Sequence, residues 1–374
     1  MNQVINSESN RDKIRYVFQG KKSILPPVSI RIDLWHKQAE SEGNLPPEIR
    51  GLSTDEIEDY LGFCRTARYR PLITLDLGSK IYKHTQITEG FMEEYYLEDR
   101  TLRRIVRDTE ELRRAGMQGH IVEYPLKDKW DCEVFLKALQ QAEVLVDTND
   151  FEMFDKATGD KGNPLCILGP SPAHLIMLKW IGYENFYFLQ ACFPELIDSL
   201  ILGLEQLYIR DVWPVAQEIT AELILHGAHF SESLTPEPVF LRYFLPYFVR
   251  FNRKMHNFNK KVLFHSDTDL GNLSPLMLEA GFDGADCLAT HPLVRETFND
   301  YLKVWNGRIV CWGGLPSIIF DPHFPISKFR NYVDDLREFS RGKAGIIIGA
   351  SDNVMPGAEW ERLLYITKTF QTKL

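Results

Sequence analysis

A short apolar run, a turn and a helix-like segment recur along this chain, and no other feature constrains its fold as strongly. Eight such runs lie between residues 72 and 349. They are Leu72–Asp76, His120–Tyr124, Pro164–Gly169, Ala221–His226, Lys261–His265, Asp283–Leu288, Arg308–Trp312 and Gly345–Gly349. Apolar strands that alternate with helices indicate a parallel sheet covered on both faces. Eight of them predict an α/β fold, the (β/α)8 TIM barrel.

The first 70 residues precede the repeating pattern. They contain a helix-like segment rich in Arg and Lys, followed by proline-containing loops. We expect residues 1–70 to be an N-terminal extension that packs on the barrel, and residues 71–374 to be the catalytic barrel. The chain is then a single domain overall, and α/β barrels commonly reach this length as one domain.

Composition argues against several classes of partner. The net charge is −9 and the basic residues are scattered among acids, so no nucleic acid partner is expected. No apolar run is long enough to span a membrane, and the N-terminal residues lack the apolar core of a signal peptide. The six cysteines are far apart and form no C-x-x-C pair. These features predict a cytoplasmic protein, and they leave its oligomeric state open, a homodimer included.

The candidate site residues follow the strand ends, because barrel enzymes place their chemistry there. His265 is the first candidate, since it ends an apolar strand and opens the polar run HSDTDLGN. The other candidates are Asp76, Glu123, Gly169, Pro170, His174, His226, His229, Asp267, Asp269, His291, Trp312, Gly313, Gly314, Ser351 and Asp352.

Each candidate also has a simpler interpretation. His265 could bond only to backbone, and Asp267, Asp269 and Asp352 could form turns. Trp312 with the glycines after it would either bring backbone close to a ligand or pack the core. The H-x-x-H pair of His226 and His229 has a metal-ligand spacing, which is a weak signal on a loop. Walker, G-x-G-x-x-G, G-x-S-x-G and H-E-x-x-H motifs are absent from the sequence, so the chemistries they serve lose support.

Three segments, HSDTDLGNLSPLMLEAGFDGAD, WGGLPS and IIIGASDNVMP, resemble the uroporphyrinogen decarboxylase superfamily. This superfamily contains the decarboxylase and methyltransferases that serve corrinoid proteins. The resemblance extends from about residue 215 to the end of the chain and is fainter before it. It implies a (β/α)8 barrel, in agreement with the strand count.

Two branches of that superfamily fit less well. The decarboxylase carries an R-Q-A-G-R-type segment whose arginines hold substrate carboxylates, whereas this chain reads PPVSIRIDLWHKQAESEG there. The thiol-activating methyltransferases bind zinc through H-x-C-G and a later Cys. Here His265 matches the His, Asp267 takes the place of the first Cys, and Ser351 and Asp352 lie near the second. As a metal site, His with carboxylates offers harder ligands than His with thiolates, because oxygen replaces sulfur.

This departure resembles the branch that takes a methyl group from an aryl methyl ether, such as a veratrole or guaiacol, and passes it to a Co(I) corrinoid. Phenolate leaves poorly, so its departure needs a proton or a Lewis acid. Asp267 or Asp352, with a pKa raised by burial, would donate the proton. Alternatively, His265 and Asp267 would hold a zinc ion.

The resemblance therefore implies O-demethylation with three catalytic residues, His265, Asp267 and Asp352. The residues expected to bind substrate are Glu123, His226, His229, His291, Trp312, Gly313 and Ser351. No D-x-H-x-x-G corrinoid motif is present, so the corrinoid (cobalamin) must arrive on a partner protein. The alternatives are a tetrapyrrole decarboxylase and a barrel that only binds a corrinoid or tetrapyrrole.

Overall fold

The computed structural model describes residues 8–78, 82–98, 100–114 and 119–371. Its strands are β1 (Arg68–Tyr69), β2 (Leu72–Asp76), β3 (Tyr82–Ile87), β4 (Gly90–Leu97), β5 (Arg100–Arg107), β6 (His120–Glu123), β7 (Glu143–Asp147), β8 (Leu165–Gly169), β9 (Leu223–His226), β10 (Lys261–His265), β11 (Gly284–Leu288), β12 (Val310–Leu315) and β13 (Ile346–Ala350).

Helices follow most strands of the central sheet. They are α1 (Asn10–Phe18), α2 (Asp33–Ser41), α3 (Thr54–Tyr60), α4 (Glu110–Arg114), α5 (Lys129–Leu139), α6 (Phe151–Thr158), α7 (Pro172–Leu175), α8 (Tyr183–Cys192), α9 (Pro194–Leu207), α10 (Trp213–Glu218), α11 (Glu237–Val239), α12 (Leu245–His256), α13 (Ser274–Glu279), α14 (Phe298–Trp305), α15 (Ile326–Ser340) and α16 (Trp360–Gln371). Single π-helical turns lie at Ile176–Ile181, Tyr208–Val212 and Phe240–Phe244.

The centre of the described fold is a curled, seven-stranded parallel sheet in the order β1-β8-β9-β10-β11-β12-β13. One residue near the N-terminus links its two edges. Val28 forms a parallel bridge with Ile348 on β13, and its carbonyl accepts a hydrogen bond from Cys64 N, shortly before β1. The predicted barrel is thus confirmed as a parallel, barrel-like α/β sheet. Within the described residues the central sheet has seven strands, and the full eight-stranded barrel stays a prediction.

Six of the eight predicted strands belong to the central sheet, and the first two do not. Leu72–Asp76 pairs antiparallel with β7, and His120–Glu123 is the edge of a four-stranded antiparallel sheet of β3, β4, β5 and β6. Both strands are partly exposed, with Leu72 at 70%. The sequence assigns these two runs to the barrel because a short apolar run looks the same in sequence whether its strand is covered on both faces or on one.

These two small sheets lie in one long insertion, residues 70–164, between β1 and β8. The insertion also contains α4, α5 and α6. We call it the insert. The domain boundary expected at residue 70 stays a prediction, although β1 and Val28 both precede it and take part in the central sheet.

Side chains alternate between the two faces of each central strand, as they must in β structure. The inner face carries a compact apolar cluster, and the outer face packs against helices. The inner cluster consists of Ile14, Val17, Cys64, Leu165, Ile167, Leu223, Leu225, Leu263, Val310, Trp312 and Ile347. Two of its members, Ile14 and Val17, come from α1. This helix is also tied down by Arg15, whose guanidinium lies 2.6 Å from the Glu222 carboxylate.

Within the described residues, no helix combines the length and the apolar character that crossing a membrane requires.

Candidate functional site

His265 is the last residue of β10, and strand alternation turns its ring to the inner face. Leu263, two residues earlier, belongs to the inner cluster, so His265 points the same way one layer nearer the C-terminal end. The residue is 7% exposed. The imidazole of His265 therefore lies just beyond the inner apolar cluster, at the C-terminal end of the sheet. This is the end where α/β barrels bind their substrates.

Three carboxylates surround this imidazole, and a second histidine extends their network. Nδ1 of His265 lies 2.9 Å from Oδ2 of Asp286, which is on the inner face of β11. Nε2 lies 3.5 Å from Oδ2 of Asp267 and 3.5 Å from Oδ1 of Asp352. The other side of Asp267 meets Nδ1 of His229 at 3.2 Å. Both ring nitrogens of His265 therefore face carboxylates.

Two arginines from the N-terminal part of the chain complete the site. Arg68 on β1 makes a bidentate pair with Asp286, with both N–O distances at 2.8 Å. Arg31 donates to Asp352 at 2.5 Å. We call these side chains the His265 cluster, which consists of Arg31, Arg68, His229, His265, Asp267, Asp286 and Asp352. Sequence reasoning missed both arginines and Asp286.

The neighbours of His265 set its charge. Burial alone would lower the pKa of His265, but the Cys287 sulfur and the three carboxylates of the cluster raise it well above its usual value. The raised pKa favours the imidazolium form, in which Nδ1 donates to Asp286 and the proton on Nε2 faces the carboxylates of Asp267 and Asp352. Its charge and the two guanidinium charges balance the three carboxylates, which is the condition for burying so many charges together.

The prediction of a raised pKa for Asp267 and Asp352 is wrong, whereas a catalytic role for these residues stays a prediction. Burial would raise the pKa of Asp267, yet hydrogen bonds from His229 and His265 hold it far below the usual value. The pKa of Asp352 is also lowered, because His265 and Arg31 outweigh the effect of burial. Both carboxyl groups are therefore ionised at neutral pH. His265, whose pKa is raised, lies beside both of them and can supply a proton.

The cluster also fits a divalent metal ion. One set of donors, His229, His265 and Asp267, has ligand atoms within 4.8 Å of one another, and a second set is His265, Cys287 and Asp352. Asp286 would fix the orientation of His265 through Nδ1 and leave Nε2 for the metal, as outer carboxylates do in many metal sites. The predicted pair His265 and Asp267 is part of the first set, and zinc binding stays a prediction.

Cys287 is a residue near the site whose place the sequence did not reveal. Its position inside an apolar run indicates a buried hydrophobe, and the residue is 3% exposed. However, the pairing of β11 and β12 shifts register between Ala285 and Leu288, and Cys287 adopts a φ of 56°. This irregularity points the thiol at the site, where it donates to the carbonyl of Asp352 at 3.3 Å.

His229 reaches the cluster through a turn that requires glycine. Gly227 follows β9 with a φ of 92°, and a Cβ there would lie 2.7 Å from the Phe248 ring. His229 itself has a φ of 55° and an edge-on contact with the His265 ring at 5.6 Å between centroids. The predicted H-x-x-H pair thus separates, with one member at the site.

His226 lies on the outer face, because Leu225 beside it faces inward. It is fully buried; its Nε2 meets the Tyr247 hydroxyl at 2.8 Å and its Nδ1 meets Gly169 O at 3.1 Å. Burial lowers the pKa of His226 to about 4. Burial similarly lowers the pKa of His174 to about 3. Both are neutral rings packed among aromatic residues.

Glu123 and His291 are not part of the cluster. Glu123 lies in the insert, outside the central sheet, and pairs with Arg103 at 2.9 Å and with Lys127 at 2.6 Å. His291 is exposed in the loop after β11, and its backbone bonds to Glu296 O at 2.7 Å. Their expected contact with substrate stays a prediction.

Trp312, Gly313 and Ser351 contact the protein core and the backbone of neighbouring strands. Trp312 is buried in the inner cluster and donates from Nε1 to Ser29 O at 3.0 Å. Gly313 allows β12 to approach β11, since a Cβ there would lie 2.4 Å from Leu288 O. Ser351 donates from Oγ to the same carbonyl at 3.2 Å. These contacts favour the core-packing interpretation and leave a role in substrate binding as a prediction.

The two other predicted aspartates form turns. Oδ1 of Asp269 accepts from Gly271 N at 2.9 Å, and Oδ1 of Asp76 accepts from Gly78 N at 2.7 Å. Asp76 follows β2 in the insert and so does not end a strand of the central sheet. The turn interpretation holds for both, as expected of Asp in loops.

Comparison with known proteins supports the fold. No family profile and no curated protein matches this sequence. Among solved structures, a methyltransferase from Methanosarcina mazei is similar with a TM-score of 0.56 and 12% identity, covering 97% of this chain and 98% of that chain. A B12-independent methionine synthase from a Shewanella species has a TM-score of 0.36 and 11% identity, covering 80% and 74%. The first likeness shows a shared fold over nearly the whole of both chains.

Proposed function

We propose that this protein moves a methyl group from a methoxylated aromatic compound to the Co(I) of a corrinoid carried by a partner protein. The observation that carries the proposal is the position of His265 at the C-terminal end of β10, where its Nε2 lies 3.5 Å from carboxylate oxygens of both Asp267 and Asp352. These neighbours raise the pKa of His265 and so favour a proton on the ring. The shared fold with a methyltransferase and the resemblance of HSDTDLGN and IIIGASDNVMP to corrinoid methyltransferases support the proposal.

The transfer requires a group that assists the leaving phenolate. The bond between the methyl carbon and the ether oxygen breaks, the methyl carbon bonds to cobalt, and the oxygen keeps the electron pair of the broken bond. A phenol has a pKa near 10, so the oxygen accepts the proton that Nε2 of His265 holds. General acid catalysis of this kind contributes about 10²–10⁴-fold.

The other residues of the cluster prepare His265 for this role. Asp286 holds Nδ1 and is itself held by Arg68, so the ring has one orientation. Asp267 and Asp352 keep the imidazole protonated until the negative charge develops on the substrate oxygen. Where zinc binds instead, through His229, His265 and Asp267, it would act as a Lewis acid on that oxygen.

The cluster gives less support to a tetrapyrrole decarboxylase. Such a substrate needs free cationic groups for its carboxylates. Arg31 lies in the segment that corresponds to the arginine motif of the decarboxylase, but it is committed to Asp352 at 2.5 Å. Arg68 is likewise neutralised by Asp286. Neither guanidinium is available to a porphyrinogen carboxylate.

The test is an anaerobic methyl-transfer assay with cob(I)alamin or a reduced corrinoid protein and a panel of methoxyarenes. Absorbance reports the conversion of Co(I) to methyl-Co(III), and zinc is measured on the same sample. We expect transfer from at least one methoxyarene and a loss of at least 100-fold in His265→Ala.

The matched control is His256→Ala, which removes a different His–Asp pair. His256 meets Asp283 at 2.7 Å, just before β11 begins and thus at the opposite end of the sheet. This variant is expected to keep full activity. Absence of transfer from every methoxyarene, or equal losses in the two variants, would contradict the proposal.

A further inference from the structure

A cavity of about 1150 Å³ lies between the insert and the end of β8. Residues 70–78 form one wall, Ile167–Pro170 form the barrel side, and β4 and β5 of the insert cover it. This volume is slightly above the usual range of small-molecule sites, which is about 300–1000 Å³. The cavity is therefore large enough for a ligand of several rings.

Most of the cavity wall is apolar or aromatic. Tyr95 and Trp180 are buried side chains with ring centroids 5.2 Å apart, and both line the cavity. Phe91 and Tyr208 add two more rings, and Ile167 adds an aliphatic surface on the barrel side. Aromatic walls of this kind favour a ligand with a flat apolar body.

Four cationic side chains line the same cavity, and two of them are already neutralised. Arg104 pairs with Glu93, and Arg113 pairs with Asp108 at 3.1 Å. The other two cations are Arg70 and Lys179. Among the residues that the structure describes, neither has a carboxylate within ion-pair distance.

The surroundings of these two cations are unfavourable to positive charge. Burial lowers the pKa of Lys179, and the nearby Arg104 lowers it further. Burial also lowers the pKa of Arg70, together with repulsion from Arg68 and Arg31. Both side chains are nevertheless exposed to the cavity, whose wall also includes the carboxylate of Asp76. An anionic group bound beside Arg70 or Lys179 would exchange water for a charge-assisted hydrogen bond, which is the strong kind.

The cavity borders the His265 cluster at Arg70. Arg70 directly follows β1, and it is close enough to Arg68 and Arg31 for their charges to act on it. Arg68 belongs to the cluster through Asp286. One end of the cavity thus lies beside the cluster, and Lys179 lines the same cavity.

We propose that this cavity binds an organic anion with a ring-containing apolar body and a carboxylate. The body lies against Tyr95 and Trp180, and Lys179 and Arg70 supply the positive charge for the carboxylate. This assignment does not depend on methyl transfer, because it concerns binding alone.

The test is isothermal titration of the full chain with 2-naphthoate and with 2-naphthamide, which share a ring system and differ in charge. We expect the carboxylate to bind at least tenfold more tightly than the amide. Lys179→Gln and Arg70→Gln should each weaken 2-naphthoate by about tenfold or more, the equivalent of one charge-assisted hydrogen bond. Neither substitution should change the affinity for the amide.

Two further variants locate the binding. Thr74→Trp places a bulky ring on an exposed cavity-lining position of β2 and should weaken both ligands. Lys303→Gln removes an exposed lysine of α14, outside the cavity, and should change neither affinity. Urea unfolding of each variant confirms that it is folded. Equal binding of acid and amide, no binding of either, or naphthoate affinity that is unchanged in Lys179→Gln and Arg70→Gln would overturn the proposal.

Discussion

The ion pair between Arg68 and Asp286 offers a direct test of how the His265 cluster is held together. The side chains of the two residues are 10% and 1% exposed, and both guanidinium nitrogens lie 2.8 Å from carboxylate oxygens. Asp286→Asn keeps the size of the side chain and removes its charge. It leaves Arg68 buried without a counter-charge and weakens the bond to Nδ1 of His265. Breaking a buried pair in this way costs about 3–5 kcal/mol.

The measurement is urea unfolding at pH 7, with Asp198→Asn as the matched control. Asp198 forms the same bidentate pair with Arg242, but the two side chains are 42% and 47% exposed. Loss of an exposed pair costs about 0–1 kcal/mol. The variant Arg68→Met should recover much of the loss when it is combined with Asp286→Asn, because no charge is then left unpaired. Equal small losses in Asp286→Asn and Asp198→Asn would refute the reasoning.

Three further predictions concern pH, packing and metal. Burial raises the pKa of Glu58 to about 8, compared with 4.5 for an ordinary glutamate. The unfolded chain therefore releases this proton first, and the free energy of unfolding falls as pH rises from about 4.5 to 8. Urea unfolding at pH 5 and pH 8.5 measures this change in the free energy of unfolding, which should be about 4 kcal/mol smaller in Glu58→Gln. An unchanged pH dependence in the variant would contradict this prediction. Gly313→Ala should lower the free energy of unfolding by at least about 2 kcal/mol, because its Cβ would lie 2.4 Å from a backbone oxygen. Gly203→Ala within α9 is the control, since its Cβ would lie 3.4 Å from the nearest side chain. Thermal melts should show it to be neutral or stabilising. In equilibrium dialysis with zinc, His229→Ala should weaken zinc binding by at least tenfold. Cys287→Ala should leave zinc binding unchanged, since the thiol already donates to a backbone carbonyl. The reverse result would favour a site made of His265, Cys287 and Asp352.

The sequence predicted the central sheet well where strands are buried on both faces. Such strands read as unbroken apolar runs, as Lys261–His265 does, and the residue that ends the run marks the site. The prediction failed at Arg68–Tyr69, because a strand of two residues with a buried arginine has no apolar run to detect. It also failed at Leu72–Asp76, whose run belongs to a sheet that is open on one side.

Within the site, periodicity could have separated two of the histidines. His265 follows inward-facing Leu263 by two residues, whereas His226 follows inward-facing Leu225 by one, and so faces the helices. Other residues could not be found in this way. Arg68 and Asp286 are 218 residues apart in the chain, and Cys287 turns inward only because of an irregularity in its strand. Pairing through space and local departures from regular structure leave no periodic signal in a single sequence.

The bridge between Val28 and Ile348 also has a consequence for how the protein is made. Val28 is synthesised long before its partner Ile348 on β13, because most of the central sheet lies between them in the chain. Contacts at such sequence separation form slowly, because loop closure must precede them. During translation the segment at Val28 therefore lacks its β13 partner until that strand has left the ribosome. A nascent chain in this state exposes backbone donors and apolar surface, which makes it a natural client for chaperones.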